Sequence, residues 1–309
     1  MNKKGALEIS FSWMFAIIVG IFILFLAIFA VTKILKTEET ISDTKISKEI
    51  EAILSPLETG FESMVSTSFT LPTESRIYNG CSDEEPFGKQ IISLSQKSFN
   101  KWSDGGLESS FENKYIFSSF PIEGKKFYVF SKPIEMPFKV ADLTYIISSE
   151  INYCFKGVDE YGEIKDELEQ VAADNLYTIL EDCPENSMNV CFGNNDDCDI
   201  SVDMSNGKTE KEGDILFFHR NDALMYASIF SSSEVYDCQL TRIAFRIKSL
   251  AQLYLGKASF ISKHGCYSNV GLESLASISS GVDSSSFGYI VSLSEDSKLK
   301  NDRSGCKLW

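Results

Sequence analysis

The stretch ISFSWMFAIIVGIFILFLAIFAV, Ile9–Val31, decides the architecture of this chain and contains no charged residue. Four lysines flank it, Lys3 and Lys4 before it and Lys33 and Lys36 after it. An α-helix rises about 1.5 Å per residue, so about 20 apolar residues cross a bilayer. The apolar part of a secretory signal peptide is shorter, roughly 7–15 residues. We therefore predict a retained transmembrane helix over residues 9–35, after a short cytoplasmic segment over residues 1–8.

The composition beyond this helix is that of a folded, acidic domain. Hydrophobic residues make up 43% of the chain, which contains 23 Phe and 12 Tyr, ample material for a packed core. The formal net charge is -15, and no run of Lys and Arg occurs. Phosphate backbones and anionic headgroups bind clustered basic residues. We therefore expect the membrane to be a partner, through the apolar helix, and we expect no nucleic acid partner.

All eight cysteines lie beyond the anchor, and their even number is typical of disulfides. They are Cys81, Cys154, Cys183, Cys191, Cys198, Cys238, Cys266 and Cys306. No pair has CxxC spacing, so a zinc site is poorly supported and we expect no metal and no cofactor. Buried free thiols in a cytosolic protein are the alternative, but disulfides favour an oxidising exterior. The sequence therefore predicts a single-pass cell-membrane protein with its N-terminus cytoplasmic and its C-terminal domain extracytoplasmic.

A helical stalk is predicted over residues 36–65, between the anchor and the extracytoplasmic domain. Its apolar residues follow helical spacing at Ile46, Ile50, Ile53, Leu54 and Leu57. Pro56 ends or kinks this helix. Such an extension packs against its own domain or pairs with a neighbouring copy.

The domain over residues 66–309 is predicted to be α+β, with a strand-rich part over 66–220 and a helical part over 221–309. The strand-rich part begins with a strand over Ser66–Leu71 that stops at Pro72. Strands over Lys114–Phe120 and Lys126–Ser131 are predicted to form a hairpin around Pro121–Gly124. The remaining apolar runs predict a strand or buried helix at Val140–Ser148, a helix at Asp159–Ala173, and strands at Leu176–Leu180, Met188–Phe192, Asp199–Met204 and Asp214–Phe218, the last two joined at Asn206-Gly207.

The helical part is dominated by one long amphipathic helix, Glu234–Ser262. Its apolar stripe comprises Leu240, Ile243, Ala244, Ile247, Leu250, Ala251 and Tyr254, and its off-stripe cations are Arg242, Arg246 and Lys248. Gly265 is a plausible C-cap, and weaker helices follow at Leu272–Ile278 and Tyr289–Leu299. The length of the long helix would separate Cys238 from Cys266 by about 40 Å, which excludes a bond between them.

We find no catalytic motif with the required spacing, and predict that the chain is not an enzyme. His219 and His264 are interpreted as a hydrogen-bonded surface residue and a helix C-terminal residue. The loop Gly193–Asp199 concentrates oxygen ligands of the kind that Ca²⁺ binds, but it lacks the EF-hand order. A polar loop closed by a Cys191–Cys198 disulfide is the favoured interpretation.

The N-terminal sequence Lys3-Lys4-Gly5-Ala6-Leu7-Glu8 directly precedes the apolar helix. It resembles the start of type IV pilin-like proteins, especially archaeal ones, over about 35 residues. The resemblance implies cleavage by a prepilin-type peptidase between Gly5 and Ala6, and a pairing role for Glu8 with the N-terminal ammonium of a neighbouring subunit. In many pilins the acid is the fifth mature residue, whereas here Glu8 would be third and Ser10 fifth.

Three further segments, Ala223–Ala227, Tyr236–Cys238 and Cys306–Trp309, are similar to parts of uncharacterised membrane-anchored archaeal proteins. That similarity implies an envelope location and no particular activity. The leading hypothesis is a non-enzymatic pilin-like or minor-pilin-like subunit, with homo-oligomer or pilus partners and an extracytoplasmic interaction domain. The alternatives are a permanent single-pass anchored scaffold or binding protein and an extracellular hydrolase.

Overall fold

The computed structural model describes residues 13–33, 65–84, 86–98, 100–103, 108–193, 198–278 and 281–309. Its helices are α1 (Trp13–Lys33), α2 (Gly162–Gln170), α3 (Asp222–Phe230), α4 (Ser233–Ser262), α5 (Glu273–Ala276) and α6 (Phe287–Arg303). Its strands are β1 (Val65–Ser82), β2 (Lys89–Ser98), β3 (Lys101–Trp102), β4 (Ser109–Phe111), β5 (Tyr115–Phe117), β6 (Ile122–Glu135), β7 (Lys139–Ser148), β8 (Tyr153–Lys156), β9 (Leu176–Tyr177), β10 (Met188–Phe192), β11 (Ile200–Asp203), β12 (Lys208–Lys211) and β13 (Asp214–Phe217). This order confirms the α+β class, with strands leading and helices trailing.

The first sheet has the order β3-β2-β1-β6-β7-β5, and β4 adds to β2. Strand β1 runs through Pro72, so the prediction that it stops there is wrong. Pairing with β6 ends at Thr70 and resumes at Ser75, and Pro72 lies in the irregularity between them. A proline at such a position costs no ladder hydrogen bond, because its missing N–H has no partner to lose.

The hairpin predicted around Pro121–Gly124 is also wrong. Strand β5 pairs in parallel with β7, and β7 separates it from β6. Ile122 and Gly124 lie inside β6, opposite Ile77 and Ser75 of β1. All three residues of β5 are buried, and Phe117 contacts Tyr236 of α4 at 6.2 Å between ring centroids. Because β5 is buried on both faces, a position beside β7 suits it better than pairing with β6 in a hairpin. The run Val140–Ser148, left open as strand or helix, is strand β7.

The second sheet has the order β13-β12-β11-β10-β8-β9. The strand pairing with β11 is β12, which the sequence analysis missed, and not Asp214–Phe218 as predicted. Gly207, with φ of 64°, makes the first turn as expected, but Glu212 and Gly213 make a second one with φ of 52° and 90°. The missed strand reads Lys-Thr-Glu-Lys, whose charges hide the period-2 pattern.

The predicted helices are present, with shifted ends. Helix α2 occupies the centre of Asp159–Ala173, and its apolar face is buried at Ile164 and Leu168, followed by buried Val171. Helix α4 matches its prediction within one residue. Gly265 follows α4 with φ of 85°, in the expected cap position. Helix α6 extends beyond its predicted range at both ends.

One large apolar core joins both sheets to the helices of the domain. Its members come from the inner face of β6 and β7, from β8 and β10, and from α2 to α6. Phe230 of α3 contacts Phe130 and Tyr153 edge-on at 5.4 and 5.2 Å, which connects the two sheets. A smaller cluster lies on the other face of the first sheet, around Ile77 and Phe127. The strand-rich and helical parts therefore share one core.

Candidate functional site

Helix α1 is the only described helix that is long and apolar enough to cross a membrane. It has 21 residues and a mean hydropathy of 3.1 in its most apolar window, none of which is buried in the protein. Ile21 is 65% exposed and Phe25 64%. Apolar surface of this extent is not left in water, so another apolar phase must cover it.

The sequence-predicted processing and pairing residues, Gly5, Ala6 and Glu8, lie outside the described residues. The same holds for residues 36–64 of the predicted stalk, including Pro56. Residues 194–197 of the oxygen-rich loop also lie outside them. Within the part of the chain that the structure describes, no group of three His, Cys, Asp or Glu side chains is placed to hold a metal ion.

The eight cysteines form four disulfides, and none is free. The pairs are Cys81–Cys238, Cys154–Cys183, Cys191–Cys198 and Cys266–Cys306. The Cα–Cα distances, from 5.7 to 6.1 Å, are typical of disulfides. Cys191 joins Cys198 as predicted, and Cys238 and Cys266 are not joined to each other. Disulfides persist in oxidising compartments, so together with α1 they support a membrane-anchored, extracytoplasmic domain.

A buried polar seam lies where α4 crosses the first sheet. Arg242, predicted to lie off the buried stripe, is completely buried, and this part of the prediction is wrong. Its guanidinium donates to the carbonyl oxygens of Lys114 at 2.8 Å and Glu112 at 3.0 Å, and to Gln239 Oε1 at 2.7 Å. It also lies over the ring of Tyr115, 4.8 Å from the centroid. Burial lowers the pKa of Arg242 to about 10, so it remains charged at neutral pH.

Neutral amides continue this seam into the sheet. Gln239 donates to Gln90 Oε1 at 2.6 Å and to the Ile116 carbonyl at 3.1 Å. Asn79 donates to the same carbonyl at 3.0 Å. The Cys81–Cys238 disulfide lies one turn of α4 before Arg242 and ties the helix to β1. The seam holds α4 in one register on the sheet, because each of these buried polar groups has a specific partner.

A second polar group lies at the start of α3, in an open cleft of about 560 Å³. Lys132 donates to Glu167 Oε2 at 2.7 Å, and Asp222 Oδ2 lies 3.8 Å from the same ammonium. Tyr226 donates its hydroxyl hydrogen to Glu167 Oε2 at 2.9 Å. Burial raises the pKa of Asp222 above its usual range. Glu135 also lines the cleft, so two acids, Glu135 and Asp222, reach it.

Both histidines lie within hydrogen-bond distance of a backbone carbonyl oxygen, but His219 is less exposed than predicted. His219 is partly buried, and its Nε2 lies 2.8 Å from the carbonyl oxygen of Ser284. Its ring stacks on Phe217, with centroids 5.8 Å apart. His264 is exposed just after α4, with Nδ1 3.1 Å from the carbonyl oxygen of Phe260. None of these histidine contacts is with a serine or threonine hydroxyl.

Comparison with known proteins gives no relative to this chain. No protein-family model matches it, and searches of curated proteins and of solved structures find no match. The apolar helix α1 and the four disulfides define the class of protein: a membrane-anchored, extracytoplasmic domain with a disulfide-bonded α+β fold.

Proposed function

We propose that this chain is a non-enzymatic, pilin-like or minor-pilin-like protein of the cell envelope. Its disulfide-bonded domain would engage a partner outside the membrane, and its N-terminus would lie in the cytoplasm before processing. The observation that carries the proposal is the apolar surface of α1, none of which is buried by the described part of the domain. Lipid can cover that surface, and so can identical helices packed in a filament.

The Lys4-Gly5-Ala6 junction supports the filament use of the helix. Cleavage after Gly5 would leave Ala6 as the new amino terminus, close to the start of the apolar helix. Glu8 would then lie within reach of a neighbour's N-terminal ammonium, and a buried carboxylate needs such a cation. A helix that leaves the bilayer for a bundle of copies keeps apolar surroundings throughout.

Mass spectrometry of the N-terminal peptide from membrane extracts tests this proposal. We expect a mature peptide that begins at Ala6, and retention of residues 1–5 in a Gly5→Val variant. Gly20→Val is the matched control, because a Cβ at Gly20 meets no atom within 4 Å and lies far from the junction. A native chain that begins at Met1 or Asn2, with no product at Ala6, contradicts the pilin-like proposal.

The second candidate is a permanent single-pass anchor for a scaffold or binding domain. The exposed apolar helix supports it equally, since lipid alone satisfies α1. Shearing of intact cells separates the two, because a processed pilin-like subunit enters the sheared filament fraction. A permanently anchored protein stays in the membrane pellet with its first five residues in place.

A further inference from the structure

A pocket of about 410 Å³ lies where the second sheet meets the end of α3 and the start of α4. Its walls are mixed: the apolar side is formed by Phe120, Tyr153, Met188, Ile200 and Ile229, and the polar side by Ser119, Asp199, Lys211, Glu212, Ser231 and Ser232. Phe120 is 50% exposed, so the pocket is reached from solvent past an aromatic side chain. This volume and lining suit a small organic molecule.

One cation, Lys211 of β12, reaches into this apolar pocket. Its ammonium donates to the carbonyl oxygens of Ser231 and Ile229, at the C-terminal end of α3. Among the ion pairs of the described residues, none includes Lys211. An ammonium has three N–H donors, so one remains for a ligand. A mostly buried charge without a carboxylate in direct contact is costly, and an anion in the pocket would offset part of that cost.

A second donor in the same pocket is the hydroxyl of Ser232. This residue is the N-cap of α4, the position where a serine usually accepts a backbone N–H, yet its side chain makes no capping bond. Its Oγ is buried and has no hydrogen-bond partner among the residues that the structure describes. Buried hydroxyls are normally satisfied, so an unsatisfied one in the wall of a pocket indicates a partner that a ligand would supply. The positive end of the α4 dipole adds to the preference for an anion.

The acids around the pocket limit the charge that such a ligand can carry. Asp199 and Glu212 line it, and the charges of Glu212 and Asp214 act on the Lys211 ammonium. One oxygen of Asp199 already accepts the backbone N–H of Asn189, at 2.7 Å. Among the described residues these acids oppose any anion, and a dianion such as phosphate more than a monoanion, so a monoanion paired with Lys211 is the ligand that they disfavour least.

We propose that this pocket binds a small monocarboxylate with an apolar body, with Lys211 as its counter-ion and Ser232 as the second donor. One carboxylate oxygen would accept the remaining Lys211 N–H, and the other the Ser232 O–H. The hydrocarbon part would lie against Phe120, Met188 and Ile200. Ligand binding at this site does not depend on whether α1 stays in the membrane or enters a filament. Failure of this proposal and failure of the pilin-like proposal are therefore distinguishable.

Binding of hexanoate to the full chain in lipid nanodiscs, followed by saturation-transfer NMR and calorimetry, tests the proposal. We expect hexanoate to bind and 1-hexanol, which has the same chain without the charge, to bind at least about tenfold more weakly, as loss of a charge-assisted hydrogen bond requires. Norleucine distinguishes the source of the carboxylate. Preference for norleucine indicates an amino acid or a peptide terminus, and preference for hexanoate indicates a fatty acid.

Two variants and one matched control locate the binding. Lys211→Met should weaken hexanoate binding at least about tenfold, and Ser232→Ala should weaken it less. Lys208→Met, on the same strand but paired with Glu210 at 2.6 Å and not lining this pocket, should leave it unchanged. Absence of binding by both hexanoate and norleucine, or equal affinity in Lys211→Met and the native chain, overturns the proposal.

A pH series on the native chain needs no variant and guards against misfolding of Lys211→Met. Burial lowers the pKa of Lys211 to about 8. Hexanoate stays ionised well above neutral pH, so its affinity should fall as pH rises through about 8, where the free pocket loses its ammonium. An affinity independent of pH between about 7 and 10 contradicts the role of Lys211.

Discussion

Helices α1 and α4 place their side chains in opposite environments. Helix α1 is apolar up to Val31 and exposes every residue, whereas the first half of α4, residues 233–247, buries ten of its fifteen residues, including Arg242. Ile21 of α1 is 65% exposed, and Arg242 of α4 is 0% exposed. Hydropathy alone would assign these two residues the other way round.

The two helices differ in the partners that their side chains need from the surroundings. The domain supplies α4 with a hydrogen-bond acceptor for each polar group it buries, so its charge is tolerated away from water. The backbone hydrogen bonds of α1 are made within the helix, so its apolar side chains need only an apolar phase around them. Environment therefore follows from the partners available, and not from the side chain's own preference.

The largest expected effect comes from placing charge on α1. Ile21→Arg together with Phe25→Arg should cost roughly 5–7 kcal/mol of insertion free energy, because each central arginine costs about 2.5–3.5 kcal/mol. The protein should then leave the membrane fraction in carbonate extraction. Ile21→Leu with Phe25→Leu is the matched control. Retention of the double arginine variant in the membrane would mean that α1 does not hold it there.

The next effect in size concerns what fixes α4 to the sheet. The Cys81–Cys238 disulfide closes a separation of 157 residues, and Cys191–Cys198 closes 7. Chain entropy predicts about 5 kcal/mol for the first loop and about 2 kcal/mol for the second. Replacing both cysteines of each pair by alanine, and measuring unfolding in denaturant, should give this order. Equal losses would place the stabilisation in native-state packing instead.

Much of this architecture is predictable from sequence, because α1, α4 and the even cysteine count are signalled by periodicity and composition. The errors fall where tertiary contacts override a local signal. Pro72 is read as a stop, but it lies at a position without a ladder partner. From its sequence, strand β12 is predicted to be a charged loop. Only one of its four residues, Thr209, is buried, so the alternation of buried and exposed residues typical of a strand is not visible.

The polar sites were the least predictable part. Nothing local marks Arg242 as buried, since its acceptors are backbone carbonyls 128 and 130 residues away in sequence. Gln239, three residues before it, is the only nearby hint of a polar pair. Lys211 and Ser232 likewise meet through the packing of α3 between a strand and a helix. Gly5, Ala6 and Glu8 remain sequence predictions.

An effect smaller than that of the Cys81–Cys238 disulfide is expected from Arg242 itself. Arg242→Met keeps the apolar stem but leaves the carbonyl oxygens of Lys114 and Glu112 without their donor, which should cost about 3 kcal/mol. Arg242→Lys should recover only part of this, because an ammonium cannot reproduce the planar fork. Denaturant unfolding measures both. The prediction is wrong if Arg242→Met is as stable as the native chain, which would make the seam dispensable.

The smallest effect tests the tight turn that closes over the Arg242 side chain. Gly88 has φ of 61°, and a Cβ there would lie 2.3 Å from the Ser82 carbonyl oxygen and 2.8 Å from Arg242 Cγ. Gly88→Ala should therefore cost about 2 kcal/mol, from strain and from displacement of the arginine. Gly213→Ala is the control, since its φ is 90° but no atom lies within 4 Å of the added Cβ. It should show the backbone strain alone, about 1 kcal/mol. The difference between the two losses should shrink but not vanish in the Arg242→Ala background, because the Ser82 carbonyl oxygen still lies 2.3 Å from the added Cβ. An unchanged difference would mean that the arginine stem contributes nothing to it.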